Sequence, residues 1–279
     1  MFLTSIEYLL VFILSVNIIY LLIFSIASHC SPKNQEIRVN VLNRIVILIP
    51  AYKEDQVIME CVNSCLTQDY PKEKYDIIVI SDQMQDITIS TLEALPLKLI
   101  KVFFKDSTKA KALNYAMDEI GDNYDIAIIL DADNVVDSEF LSHINTSMNQ
   151  QGVEVVQAHR TAKNQNTKLA ILDAISEEIN NSIFRLGHSN VGLSAALIGS
   201  GMAFKYELLK KELHSINAIG GFDRALELTL IKKKEKDYLS ASYLCLGRKN
   251  SKSPQFFPTK KTLAFSTTPL SRSITKRYT

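Results

Sequence analysis

Two carboxylates one residue apart, Asp131 and Asp133, end the run 124–134 (YDIAIILDADN). An apolar run free of Gly and Pro reads as a strand buried on both faces, the kind found in parallel sheets. Side chains alternate along a strand, so both aspartates point the same way if the strand continues that far. Hard oxygen donors at the carboxyl end of a central parallel strand sit where open α/β sheets bind ligands. They suit Mg²⁺ or Mn²⁺ held together with substrate phosphates. The same four residues, D-A-D-N, would also serve as an ordinary acidic turn. Other charged residues stand at comparable places: Glu54 just past the run 44–50, Asp82 just past the run 75–80, Lys109 at a helix entry, and Asp223 and Glu227 beyond the Gly220-Gly221 pair.

The elements that must position these residues follow from periodicity. Residues 44–50 (RIVILIP) form a first buried strand stopped by Pro50, and an amphipathic helix fits 56–67, with Val57, Cys61, Ser64 and Cys65 inward. Residues 75–80 are a second strand, 87–95 a helix, 97–103 a third strand and 108–117 a helix leading to the Asp131/Asp133 strand. Strands alternating with helices at this spacing mean βαβ units, an α/β fold and a mostly parallel sheet. Residues 185–204 are rich in small side chains and read as backbone passing close to something.

The 279 residues suffice for one large α/β domain or two small ones, and 47% apolar content supports a sizeable core. The four cysteines, Cys30, Cys61, Cys65 and Cys245, show no zinc-ligand spacing, so a reduced, cytosolic setting is the default for the soluble part. No G-x-G-x-x-G or Walker loop occurs, against a dinucleotide enzyme or a P-loop ATPase, and no G-x-S-x-G elbow, against a serine hydrolase. Residues 8–27 (YLLVFILSVNIIYLLIFSIA) match the thickness of a bilayer core. Glu7 is the only charge before them, so the basic start of a signal peptide is missing. Lys33, Arg38 and Arg44 follow, which places the rest of the chain in the cytoplasm, anchored to the cytoplasmic membrane by a single span. The expected division is an anchor and linker over 1–40, an α/β domain over 41–231 and a tail over 232–279.

Five ordered pieces carry a resemblance: I-P-A-Y-K-E-D at 49–55, S-D at 81–82, K-A-K-A-L-N at 109–114, D-A-D at 131–133 and G-G-F-D…L-E-L at 220–228. Together they resemble a family 2 inverting glycosyltransferase of the membrane-associated, polysaccharide-building kind. The resemblance implies a GT-A fold, a nucleotide-diphosphate sugar donor of the UDP-sugar type, a glycan or lipid-linked acceptor and no nucleic-acid partner. It implies that Ala51, Tyr52 and Glu54 line the base and ribose pocket and that Asp82 accepts a hydrogen bond from uracil or ribose. Asp82 has the alternative of a helix cap or turn aspartate. Lys109 resembles the lysine near the diphosphate, with a solvated helix face as its alternative. Asp131 would contact ribose or donor sugar, with Asp133 holding the Mg²⁺ or Mn²⁺ that bridges the phosphates. The segment 187–202 resembles the acceptor wall.

The catalytic base departs from the family's pattern. An E-D pair before a leucine is usual, but Arg224 and Ala225 precede Leu226. Asp223 is the better base and Glu227 the other, with a structural role as its alternative. The family's Q-x-x-R-W segment and the membrane helices after it are also missing from the sequence. Residues 232–279 hold twelve of the 31 Lys and Arg but two of the 30 acids, the composition of a disordered basic tail. Residues 259–264 permit codons that, read one base later, give Q-R-R-R-W, and residues 243–250 permit I-Y-V-L-D-E-K in the same shifted frame. The tail therefore reads as a frameshift product, truncating the enzyme after about residue 232. Two other classes compete with an active transferase. One is a catalytically inactive remnant that at most binds nucleotide sugar, the other a nucleotidyltransferase, which would need a basic glycine-rich loop that 49–55 lacks.

Overall fold

The computed structural model describes residues 2–30, 41–150, 153–162, 167–216, 220–233, 240–244 and 263–265. Its first element is the 28-residue helix α1 (Phe2–His29), ~42 Å long at 1.5 Å per residue. Among the described residues it is the one helix long and apolar enough to cross a membrane, and most of its apolar side chains are exposed.

Strand and helix then alternate: β1 (Ile45–Tyr52), α2 (Ile58–Leu66), β2 (Tyr75–Asp82), α3 (Asp86–Glu93), β3 (Lys98–Val102), α4 (Lys109–Glu119) and β4 (Ile126–Ile129). Next come β5 (Val135–Val136), α5 (Phe140–Met148), β6 (Val153–Ala158), β7 (Arg160–Ala162) and α6 (Lys168–Asn180). A wide π-helical turn (Asn181–Gly187) leads into α7 (His188–Asn190), and β8 (Met202–Lys205), α8 (Tyr206–Leu213), α9 (Phe222–Lys233), β9 (Ser240–Leu244) and β10 (Leu263–Phe265) complete the order. The main sheet runs β3-β2-β1-β4-β8-β6-β9, and a small one runs β5-β10-β7. The four strands β3, β2, β1 and β4 are parallel, and β8 enters antiparallel between β4 and β6.

The continuous apolar strands are explained by two cores, one on each face of the sheet. Ile45, Ile47 and Ile49 face α2 and α5, while Val46 and Leu48 face α4, α8 and α9. With both faces covered there is no polar side to alternate with. On α2 the inward residues are Ile58, Cys61, Val62 and Cys65; Val57 and Ser64 are only half-buried.

Three expectations are corrected. Pro50 does not stop β1, which continues in register beside β2 to Tyr52. β4 ends opposite Leu48, and Leu48 faces β4 by accepting from the Leu130 N–H at 3.0 Å. Pro50, two residues on, turns its missing donor to the side β4 has already left. Second, β4 stops at Ile129, so the alternation argument does not reach Asp131 and Asp133. Those residues flank a turn closed by the Asn134 N–H donating to the Asp131 carbonyl at 3.0 Å. Third, the tail is not structureless throughout, because β9 pairs in parallel with β6 and β10 pairs with β5 and β7. Short apolar stretches such as Leu263-Ala264-Phe265 suffice to cover open strand edges. Apart from Lys232 and Lys233, which end α9, the remainder of the tail lies outside the described residues.

Candidate active site

The carboxyl ends of β1, β2 and β4 meet at one end of the sheet. Tyr52 and Asp82 are register neighbours there, and the Lys53 N–H donates to the Asp82 carbonyl at 3.1 Å. Lys53 and Gln83, the residues just past these strands, both hold left-handed backbone (φ 55° and 54°). Non-glycine residues persist in that region only where their surroundings force it, often at functional sites. Ala51 is buried, and Tyr52 is exposed with the Lys53 ammonium 5.0 Å from its ring centre. The Asp82 carboxylate is buried, and its Oδ1 has no partner among the described residues. A buried carboxylate oxygen without a donor is costly in isolation, so Asp82 Oδ1 is open to a donor from outside the described residues.

The D-A-D-N turn carries the charge. Burial pushes Asp133 above the ordinary carboxylate value and the Asp131 charge adds to it, while Arg160 and Lys109 pull it back. Glu54 is also pushed up, by burial and then by Asp133, Asp131 and Asp55. Three acids thus repel one another at the strand ends. Hard oxygen donors crowded in this way are a chemistry that a divalent cation can take, with the rest of its shell from phosphate and water. Among the described residues no three His, Cys, Asp or Glu side chains converge closely enough to enclose a metal by themselves. Asp131 is the more engaged of the pair. Its Oδ1 accepts from Lys109, whose ammonium also donates to the Gly199 carbonyl at 2.5 Å.

Several supporting residues were not visible in the sequence. The Ser200 hydroxyl accepts from the Asp131 N–H and from Asn134 Nδ2, each at 2.8 Å, and so pins the turn. Gln157 on β6 donates to the Ser200 carbonyl at 3.0 Å and accepts from the Ile198 N–H at 3.1 Å. Arg160 on β7 lies near enough to Asp133 to act on it, and its Nε is buried without a partner among the described residues. The G-S-G stretch 199–201 was the only sequence signal for any of them. Cys61 donates weakly to the Asp131 carbonyl at 3.5 Å. Its hydrogen bond with Cys65 and its burial push its thiol well up, so it packs and is no nucleophile.

Opposite the turn, Gly199, Gly220, Gly221 and Asp223 close a cleft of about 340 Å³ with Lys109 and Asp131. Gly199 and Gly221 both hold left-handed backbone, with φ of 83° and 64°. A Cβ on Gly199 would touch the Asp223 carboxylate at 3.8 Å, so the two lie side by side. Glu227, one helical turn further along α9, is outside this cleft. Its Oε2 accepts from Arg224 Nη1 at 2.9 Å and from the Leu197 N–H at 3.4 Å. The segment 187–202, expected as an acceptor wall, is divided. Gly199 and Ser200 are at the cleft, whereas Gly187 is pressed against the Phe24 carbonyl of α1.

A family profile described as "Glycosyltransferase like family 2" matches residues 43–236. The chain is 27% identical over 158 residues to a Methanococcus voltae protein, "Dolichyl N-acetyl-alpha-D-glucosaminyl phosphate 3-beta-D-2,3-diacetamido-2,3-dideoxy-beta-D-glucuronosyltransferase", covering 53% of this chain and 45% of that one. It is 30% identical over 110 residues to a Staphylococcus aureus poly-beta-1,6-N-acetyl-D-glucosamine synthase, covering 38% and 26%. The chain therefore spans less than half the length of these curated relatives. Its fold is similar to that of the mannosyltransferase PcManGT from Pyrobaculum calidifontis, solved with GDP-Man and Mn²⁺, with a TM-score of 0.60, 22% identity and coverage of 80% of this chain and 61% of that one.

Proposed function

The chain belongs to the glycosyltransferase-like family 2, and from that premise we propose that it moves a sugar from a nucleotide-diphosphate donor to a glycan or lipid-linked hydroxyl, with inversion. The observation that carries this reading is the meeting of Lys109, Asp131 and Asp223 in one cleft beside the D-A-D turn. The unpartnered Asp82 Oδ1 supports a nucleobase N–H as its donor, with UDP as the nucleotide, and the exposed Tyr52 ring offers a face for stacking. A Mg²⁺ or Mn²⁺ held by Asp133 with Asp131 would offset the charge of the leaving diphosphate. Lys109 adds a second positive charge on the same side. Asp223 takes the proton of the acceptor hydroxyl as its oxygen bonds to the anomeric carbon, while the bond from that carbon to the diphosphate oxygen breaks. Glu227, tied to Arg224 and the Leu197 N–H, instead holds the start of α9 against the 194–199 stretch. α1 serves as a single span of the cytoplasmic membrane, with the catalytic domain on the cytoplasmic side, a placement supported by Lys33, Arg38 and Arg44.

Calorimetric titration of the full chain in detergent micelles tests the donor reading. UDP should bind with Mn²⁺ present, and binding should vanish with EDTA or in Asp133→Ala. Undiminished binding in EDTA removes the metal from the site, and failure of both UDP and GDP to bind removes the nucleotide. The anomeric configuration of the product, read by NMR, decides inversion.

A further inference from the structure

The helix α6 is inside out. Its outer surface carries Leu169 (65% exposed), Leu172 (62%), Ile175 (47%) and Ile179 (49%), with Ile171 beside them at 43%. Two of its three carboxylates face the protein, Glu178 meeting His159 at 2.9 Å and Glu177 the buried Arg185 at 2.9 Å, while Asp173 is exposed. A helix on a water-exposed surface normally does the reverse, and an apolar row of this kind on a folded domain marks a contact surface.

The element that continues α6 fixes where this surface lies. The π-helical turn and α7 grip the last third of α1. Gly187 lets the two backbones touch, since a Cβ there would stand 2.3 Å from the Phe24 carbonyl oxygen. The Tyr20 hydroxyl bonds His188 Nε2 at 2.7 Å, and Asn190 Nδ2 donates to the Ala27 carbonyl at 2.9 Å. From Tyr20 to Ala27 is ~10 Å along a helix at 1.5 Å per residue. If 8–27 span the bilayer, a segment that reaches Tyr20 sits about 5–10 Å below the membrane surface, the depth at which interfacial amphipathic helices lie. The apolar row of α6 is continuous in chain with that segment.

We propose that α6 lies in the plane of the bilayer surface, its Leu169–Leu172–Ile175–Ile179 row in contact with lipid acyl chains. The same helix holds the corner next to the catalytic end of the sheet. Glu178 bonds His159, and Asn181 Nδ2 donates to the Arg160 carbonyl at 2.7 Å, so the membrane contact is one helix away from the residue beside Asp133. The proposal rests on α1 being a membrane span, and the experiment separates the two.

The chain has no tryptophan, so single Trp residues report position without background. The full chain is reconstituted in phosphatidylcholine–phosphatidylglycerol vesicles, with and without bromine on the acyl chains, as Leu172→Trp and, independently, Ile175→Trp. Leu14→Trp on α1 is the membrane reference and Ile87→Trp, on α3 at the opposite edge of the sheet, the solvent reference. The expected result is blue-shifted emission, largely lost in brominated vesicles, for both α6 variants and for Leu14→Trp, with Ile87→Trp unaffected. If the α6 variants emit like Ile87→Trp while Leu14→Trp is quenched, the proposal fails and the span stands. Blue-shifted α6 emission that bromine does not quench also overturns it, since protein would then cover the helix. Unquenched Leu14→Trp overturns the span, and the α6 proposal with it.

Discussion

The two walls of the cleft are built in different ways. On one side stand the ends of β1, β2 and β4, whose side chains are buried in two separate cores almost without exposure. On the other side are turns, with left-handed glycines at Gly199 and Gly221 and the first turn of α9 bearing Asp223. The acids just past these strand ends sit in a turn pinned by the Ser200 hydroxyl, and they tolerate mutual repulsion because the strands beneath cannot give way. The turn wall holds its acid only through backbone that a Cβ would strain. Substitutions on the first wall should therefore change charge and binding without moving the frame, while substitutions on the second should act through geometry.

The sharpest way to break this comparison is at the acids themselves. Asp223→Asn should lower kcat by about 10²–10⁴, the worth of a general base, with the donor KM changed by only a few-fold. Glu227→Gln should cost less than about tenfold (under ~1.4 kcal/mol). Steady-state kinetics that reversed this order would exchange the two roles. Next, Asp133→Asn should reduce Mn²⁺-dependent turnover by about 10²–10³ and abolish calorimetric UDP binding.

A smaller effect is expected at the turn wall. Gly199→Ala puts a Cβ on left-handed backbone (φ 83°), with the Asp223 carboxylate only in ordinary contact, and should cost about 1–2 kcal/mol of stability, seen as a lower denaturation midpoint. A midpoint unchanged by Ala would mean the turn rearranges freely.

The smallest effect concerns protons. Asp133 and Glu54 are raised above their ordinary values of 3.8 and 4.5. Between the ordinary and raised values the folded chain holds protons that the unfolded chain has lost, so metal-free stability falls as pH rises through that window. Asp133→Asn should consequently raise the metal-free Tm at neutral pH by about 1–3 °C. Acidification should weaken Mn²⁺-dependent UDP binding at a higher pH than an unperturbed carboxylate would. A lowered Tm in Asp133→Asn would show that its charge is compensated within the protein.

Much of this was legible in the sequence. Parallel strands buried on both faces are unbroken apolar runs, so β1 to β4 and their helices stood out to within a few residues, and the acids that follow them marked the end of the sheet that bears the candidate site. The pieces that carry family 2 likewise sit on single short segments. Tertiary structure decided the rest. Whether Pro50 ends a strand depended on which neighbour was still alongside, and that neighbour is β4, far along the chain. Ser200 reaches Asp131 across 69 residues, and Lys109 reaches Gly199 across 90. No periodicity encodes such pairs. Asp223 and Glu227 are four residues apart on one helix and equivalent by type, and only the packing of the 194–199 stretch separates the cleft acid from the anchored one. The composition of α6 reveals apolar and acidic residues, but which set faces outward was fixed by where His159 and Arg185 lie. In the tail, a basic composition outweighed the short apolar stretches that pair as β9 and β10, because edge pairing draws on strands the tail itself does not contain.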